Sequence, residues 1–232
     1  MSVEKTKISY VLPVYNAQST IAQSITSLSL QYVKPHEIIV IDDGSTDRTP
    51  HLLEHLKKEG KITTLITNEK RKGAAYSRNL GNSLATGDII AVCDTDFYYR
   101  NRSSAIVEFF NKYWDEYDIF YSALLLRDSK SSLNMGKMEA IKWDFNSKCP
   151  ISHPTVAYKR EVVEKCKYCE KTKESDLYEF FLLDCYRSGF KFYGCQDPLL
   201  VKIEGNSKRK VSKVKQTIKQ KKYKEYGIEV IL

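Results

Sequence analysis

The sequence predicts an α/β fold on a mostly parallel sheet, and three observations carry that expectation. Through the first hundred residues, short apolar runs alternate with amphipathic stretches, as in successive βαβ units. Polar clusters fall at the carboxyl ends of four of those runs. The chain has 232 residues, 42% hydrophobic and 28% charged, enough for one substantial core and unlike a disordered or fibrous composition.

Ile8 to Leu12 reads as the first strand. Ala17 to Gln31 follows as a helix, with Ile21, Ile25 and Leu28 at helical spacing. Glu37 to Ile41 is a β-branched run that fits a buried second strand. Asp47 to Lys58 is a helix with Asp47 as N-cap and Pro50 in its first turn. Ile62 to Thr67 makes a third strand, Ala74 to Ala85 a helix ended by Gly87, and Asp88 to Cys93 a fourth strand.

Beyond Asp96 the alternation loosens. Ser103 to Tyr113 reads as helix and Tyr117 to Leu126 as strand, while Asp128 to Lys137 has no clear period. Pro154 to Lys159 reads as a strand and Lys173 to Ser188 as a helix closed by Gly189. Phe190 to Tyr193 and Leu199 to Ile203 read as two short strands. The chain divides into residues 1–100, 101–204 as the second half of the same domain, and 205–232 as a short basic helical tail.

No run of about 18 apolar residues occurs, and the charged N-terminus leads directly into a strand, so a cytoplasmic location is expected. Six scattered cysteines suggest buried reduced thiols, not a disulfide framework. Cys166 and Cys169 have metal-like spacing but no matching second pair for zinc. The net charge is +8, and residues 205–224 hold nine Lys or Arg and no acid. Such a tail suits an anionic membrane surface, nucleic acid or a phosphate-bearing acceptor, or is simply a solvated helix face.

In an open parallel sheet, ligands bind where loops converge beyond the strands' carboxyl ends. Here those ends carry Pro13-Val14-Tyr15-Asn16, then Asp42-Asp43-Gly44-Ser45, then Lys70-Arg71-Lys72-Gly73, then Asp94-Thr95-Asp96. Asp94 and Asp96, one residue apart at a strand end, would lie on one face and converge on magnesium or manganese. Asp42 and Asp43 could accept hydrogen bonds from a base or a ribose, or belong to a turn. Tyr15 is either a packing aromatic or a flat surface beneath a base. Lys72 and Arg78 flank the helix opened by Gly73, whose N–H groups suit a diphosphate; for Lys72 a solvated charge is the alternative.

These four motifs, in this order and spacing, resemble the inverting family 2 glycosyltransferases of bacterial surface polysaccharide assembly. The resemblance runs through Val11–Asn16, Ile39–Asp47, Lys72–Gly81 and Cys93–Asp96. It implies the GT-A fold, a Rossmann-like sheet flanked by helices. It also implies a nucleotide diphosphate sugar donor, with Pro13, Tyr15 and Asp43 around the base, Arg78 near the pyrophosphate, and Asp94 and Asp96 at the ribose and metal. A glycan or lipid-linked glycan would be the acceptor. The second half resembles the family more loosely, through His153–Glu161 and then Glu174-Ser175-Asp176. There Asp176 is similar to the family's general base, with Glu179 and Glu174 as substitutes and helix capping as another role for Asp176. Phe97 stands where many relatives carry a further acid.

Other readings fit less well. A nucleotidyltransferase would want a glycine-rich loop where Pro13-Val14-Tyr15-Asn16 stands. A phosphatase would place its aspartate at the end of the first strand. A protein that only binds nucleic acid leaves the carboxylates at the sheet edge unexplained, so no nucleic acid partner is expected.

Overall fold

In the computed structural model, the described residues are 6–127, 133–135, 151–171 and 178–203. The strands are β1 (Ile8–Val14), β2 (Glu37–Asp42), β3 (Thr64–Thr67), β4 (Ile89–Val92), β5 (Phe97–Tyr98), β6 (Ile119–Arg127), β7 (Leu133–Met135), β8 (Ala157–Lys159) and β9 (Phe192–Ile203). The helices are α1 (Ile21–Ser29), α2 (Thr49–Lys58), α3 (Ala74–Leu84), α4 (Arg102–Tyr113), α5 (Val162–Lys165) and α6 (Tyr178–Arg187).

One sheet runs in the order β3-β2-β1-β4-β8-β6-β9-β5, with β7 paired to β6. The first four strands are parallel, as the β-branched runs predict. From there the sheet is mixed, because β8 is antiparallel to both β4 and β6. β9 then lies parallel to β6 and antiparallel to β5.

Two apolar layers enclose the sheet, which is why β1 and β2 are buried throughout except half-buried Pro13. Alternation along β1 sends Tyr10, Leu12 and Val14 to the layer of α1, α2 and α4, where Ile25, Leu53 and Phe110 lie. Val11 faces the opposite layer, with Ala75 of α3, Val162 of α5 and Leu182 of α6. Each such side chain contributes about 1.5–3 kcal/mol when removed from water. Helix α3 presses close to the sheet at Gly81, where an added Cβ would stand 2.4 Å from Val11 Cγ1.

Several expected boundaries shift. The α2 helix begins at Thr49 with Arg48 at its cap position, and Asp47 instead accepts the Thr49 N–H at 2.9 Å and the Gln18 N–H at 3.2 Å. His153–Thr155 is a 3₁₀ turn that precedes β8, not part of a strand. The two short strands expected near the end are one strand, β9. Register irregularities against β6 let it carry Pro198, whose missing N–H a regular ladder would not tolerate. Among the described residues, no helix is long and apolar enough to cross a membrane.

Candidate active site

The carboxyl ends of β1, β2 and β4 lie side by side because these strands are parallel neighbours. The loops beyond them are joined by backbone and short polar side chains. Asn16, in the left-handed region at φ 48°, receives the Thr46 N–H on Oδ1 at 2.9 Å, and its own N–H reaches Ser45 Oγ at 2.9 Å. Val14 O accepts the Asp43 N–H at 2.8 Å, and Asp42 O accepts the Asn68 N–H at 2.8 Å. Gly44 is required where a Cβ would meet the Arg71 nitrogen at 2.9 Å.

The two aspartates at the end of β2 play different parts. Asp43 holds the loop over residues 68–73: Oδ1 accepts from Asn68 Nδ2 at 3.1 Å and Lys72 N at 2.8 Å, and Oδ2 accepts from Gly73 N at 2.8 Å. Asp42 binds Ser45 through Oδ1, while its Oδ2 is buried without a hydrogen-bond partner among the described residues. Burial pushes the Asp42 carboxyl above its usual range, against the pull of the Ser45 hydrogen bonds.

Tyr15 is exposed, not a packing aromatic, and the Arg71 guanidinium lies 4.4 Å from its ring centroid. Pro13 is half-buried and Val14 buried. Lys72 is not a free solvated charge: its Nζ reaches the Tyr76 hydroxyl at 3.0 Å. Gly73, at φ 106°, opens α3 with its N–H already given to Asp43.

Arg78 is buried one turn into α3, donates to Cys93 O at 3.2 Å and pairs with the Asp94 carboxylate. The Asp94 side chain remains 40% exposed, whereas Asp96 is 4% exposed, with half-buried Thr95 between them. The expectation that both acids share a strand face is corrected here. Strand β4 ends at Val92 and both residues lie in the turn before β5, so strand alternation no longer sets their directions. Among the described residues no group of three or more His, Cys, Asp or Glu could hold a metal ion. The donor chemistry, two carboxylates one residue apart, still suits a hard cation whose remaining ligands are phosphate oxygens and water.

Two contributors escaped the sequence reading. Tyr98, buried, accepts the Asp94 N–H at 2.8 Å and donates to Asp94 O at 3.0 Å. Arg102 is fully buried at the start of α4, against Val92 O, Pro154 O and Cys93 Sγ. An arginine at a helix start reads as solvated, so no local signal marked it. On the other layer, His153 reaches the Tyr168 hydroxyl at 2.9 Å and stacks on Tyr178 at 4.6 Å. Asn79 of α3 exchanges hydrogen bonds with the Tyr168 backbone, which ties the two halves together beside Arg78. Glu179 is buried at 7% exposure, while Asp176, Glu174 and the tail 205–232 lie outside the described residues. Cys166 is buried and Cys169 half-buried.

The family model for glycosyl transferase family 2 matches residues 9–167. An uncharacterised glycosyltransferase of Rickettsia felis is 34% identical over 163 residues, covering 65% of this chain. The chain spans only 25% of that relative's length. Among solved structures, Staphylococcus aureus TarS 1-349 in complex with UDP-GlcNAc superposes with a TM-score of 0.68 at 20% identity, over 86% of this chain and 60% of that one. The mannosyltransferase PcManGT of Pyrobaculum calidifontis, in complex with GDP-Man and Mn2+, gives 0.64 at 17% identity, over 89% and 59%. At these identities the superpositions speak to the fold. With its motifs on one sheet edge and a family match across most of its length, the chain belongs to glycosyl transferase family 2.

Proposed function

We propose that this chain transfers a sugar from a nucleotide diphosphate donor to an acceptor hydroxyl of a glycan or lipid-linked glycan, in a single inverting displacement. The observation that carries the reading is the edge where exposed Tyr15, the Asp43-held loop and the Arg78–Asp94 pair meet beyond parallel strands. The family match and two solved relatives bound to nucleotide sugars support it.

Tyr15 offers a flat face for the base once Arg71 yields or sandwiches it. Asp43 holds the loop that borders the base, and Arg78 and Lys72 set positive charge toward the diphosphate. Asp94 and Asp96 would hold magnesium or manganese, as the manganese in PcManGT suggests by analogy. When bound, such an ion neutralises charge on the departing diphosphate. Asp176, or Glu179 in its stead, takes the acceptor proton as the hydroxyl attacks the anomeric carbon from the face opposite the diphosphate. No covalent intermediate on the chain is required. The basic tail 205–232 brings the protein to the anionic inner face of a membrane.

The test is calorimetric titration with UDP, GDP and other nucleoside diphosphates, with manganese and with EDTA, followed by a donor-hydrolysis screen. Absence of binding to every nucleoside diphosphate would sink the reading.

A further inference from the structure

Two arginines grip the end of β4 from opposite layers. Arg78 reaches Cys93 O and the Asp94 carboxylate from α3. Arg102 comes from α4, donating to Val92 O at 2.9 Å, Pro154 O at 3.0 Å and Cys93 Sγ at 3.3 Å. Its guanidinium lies 4.6 Å from the Tyr98 ring centroid and 5.3 Å from that of Tyr10. Among the described residues none of these partners is a carboxylate, and Nε has no hydrogen-bond partner. A fully buried guanidinium without an acid is costly, so carbonyl dipoles and two ring faces carry its charge.

The Tyr98 ring it grips ends in a hydroxyl that meets the Asp94 backbone. That oxygen accepts the Asp94 N–H at 2.8 Å and donates to the Asp94 carbonyl at 3.0 Å. Ser24 Oγ donates to the same carbonyl at 3.3 Å. Both sides of the Asp94 residue are thereby tied to one buried atom, which fixes its backbone dihedrals outside any strand ladder. With the backbone fixed, the Cα–Cβ bond of Asp94 is fixed too, and the ion pair with Arg78 holds the carboxylate, which is 40% exposed.

We propose that Tyr98, its ring held by Arg102, is a positioning residue that aims the Asp94 carboxylate at the donor diphosphate and its cation. The inference rests on the functional reading of Asp94 above. Tyr98 acts through Asp94 and touches neither donor nor cation. The strand ladder cannot do this work, since β4 stops at Val92.

The test is a double-mutant cycle in the full chain, reading the affinity of UDP or GDP in manganese and in EDTA. Tyr98→Phe keeps the ring and its Arg102 contact and removes only the hydroxyl. In the wild-type background it should weaken nucleotide binding in manganese about tenfold, the scale of two lost hydrogen bonds. Binding in EDTA should change less than twofold. In an Asp94→Asn background the same substitution should cost nothing further. A merely structural role would lower the melting temperature yet give equal losses in both backgrounds, and that result overturns the inference. Should Tyr98→Phe not fold, Ser24→Ala carries the same cycle with about a threefold effect, and an equal loss in both backgrounds overturns it likewise. A wild-type chain that binds no nucleoside diphosphate overturns the functional reading and this inference with it. A wild-type chain that binds, beside a Tyr98→Phe variant that binds as tightly, overturns the inference alone.

Discussion

The Asp43 carboxylate accepts the Gly73 N–H at 2.8 Å through Oδ2 while its other oxygen takes the Lys72 N–H at the same distance. One side chain after β2 therefore sets the entry to α3, thirty residues away. Asn in its place would turn an amide N–H toward the Gly73 N–H. Asp43→Asn should weaken nucleoside diphosphate binding at least tenfold, since hydrogen bonds to a charged acceptor contribute about 1.5–3 kcal/mol. Titration calorimetry on the folded variant checks this, and unchanged affinity would show that the loop holds itself.

Asp94→Ala should abolish transfer and remove the gain in nucleotide affinity that manganese gives. Binding of wild-type protein with full affinity in EDTA would count against a cation held by Asp94 and Asp96.

The proton acceptor is tested by two substitutions. Asp176→Asn should leave donor binding near normal and slow turnover on the order of a hundredfold. Glu179→Gln, at a position only 7% exposed, should slow it far less. Reversed results would transfer the role to Glu179.

Asp42 should make stability pH-dependent. Burial raises its folded pKa above the unfolded value, so ionisation opposes folding as the pH rises through the carboxylate range. Asp42→Asn keeps an oxygen for Ser45 and removes that penalty. It should raise the melting temperature at pH 8 by a few degrees, at about 2–4 °C per kcal/mol, with the gain shrinking toward pH 3. A gain independent of pH would mean that the charge is not the cause.

For the tail, nine cations without an acid between residues 205 and 224 predict binding to anionic liposomes. At roughly 1 kcal/mol per engaged cation, a chain ending at Glu204 should sediment with them much less than the full chain, and salt should erase the difference. Equal sedimentation of both at low salt would leave the tail a solvated segment.

The sequence by itself determined the parallel half. A β-branched run such as Ile38–Ile41, set between amphipathic stretches, fits a strand covered on both faces, and the polar residues after parallel strands gather at one edge. The family, the polar motifs at the strand ends and the Arg78 position were legible because each is a local pattern. Tertiary structure decided what each side chain is paired with. Asp42 and Asp43 are neighbours of one type, yet one carboxylate is partly unsatisfied among the described residues and the other anchors a loop, because the 68–73 segment turns its N–H groups onto the Asp43 carboxylate. Asp94 and Asp96 differ in exposure, 40% for the Asp94 side chain against 4% for Asp96, in a turn that lies beyond the end of β4. Tyr98 and Arg102 gained their places from packing between α4 and the sheet, a long-range contact that no periodicity encodes.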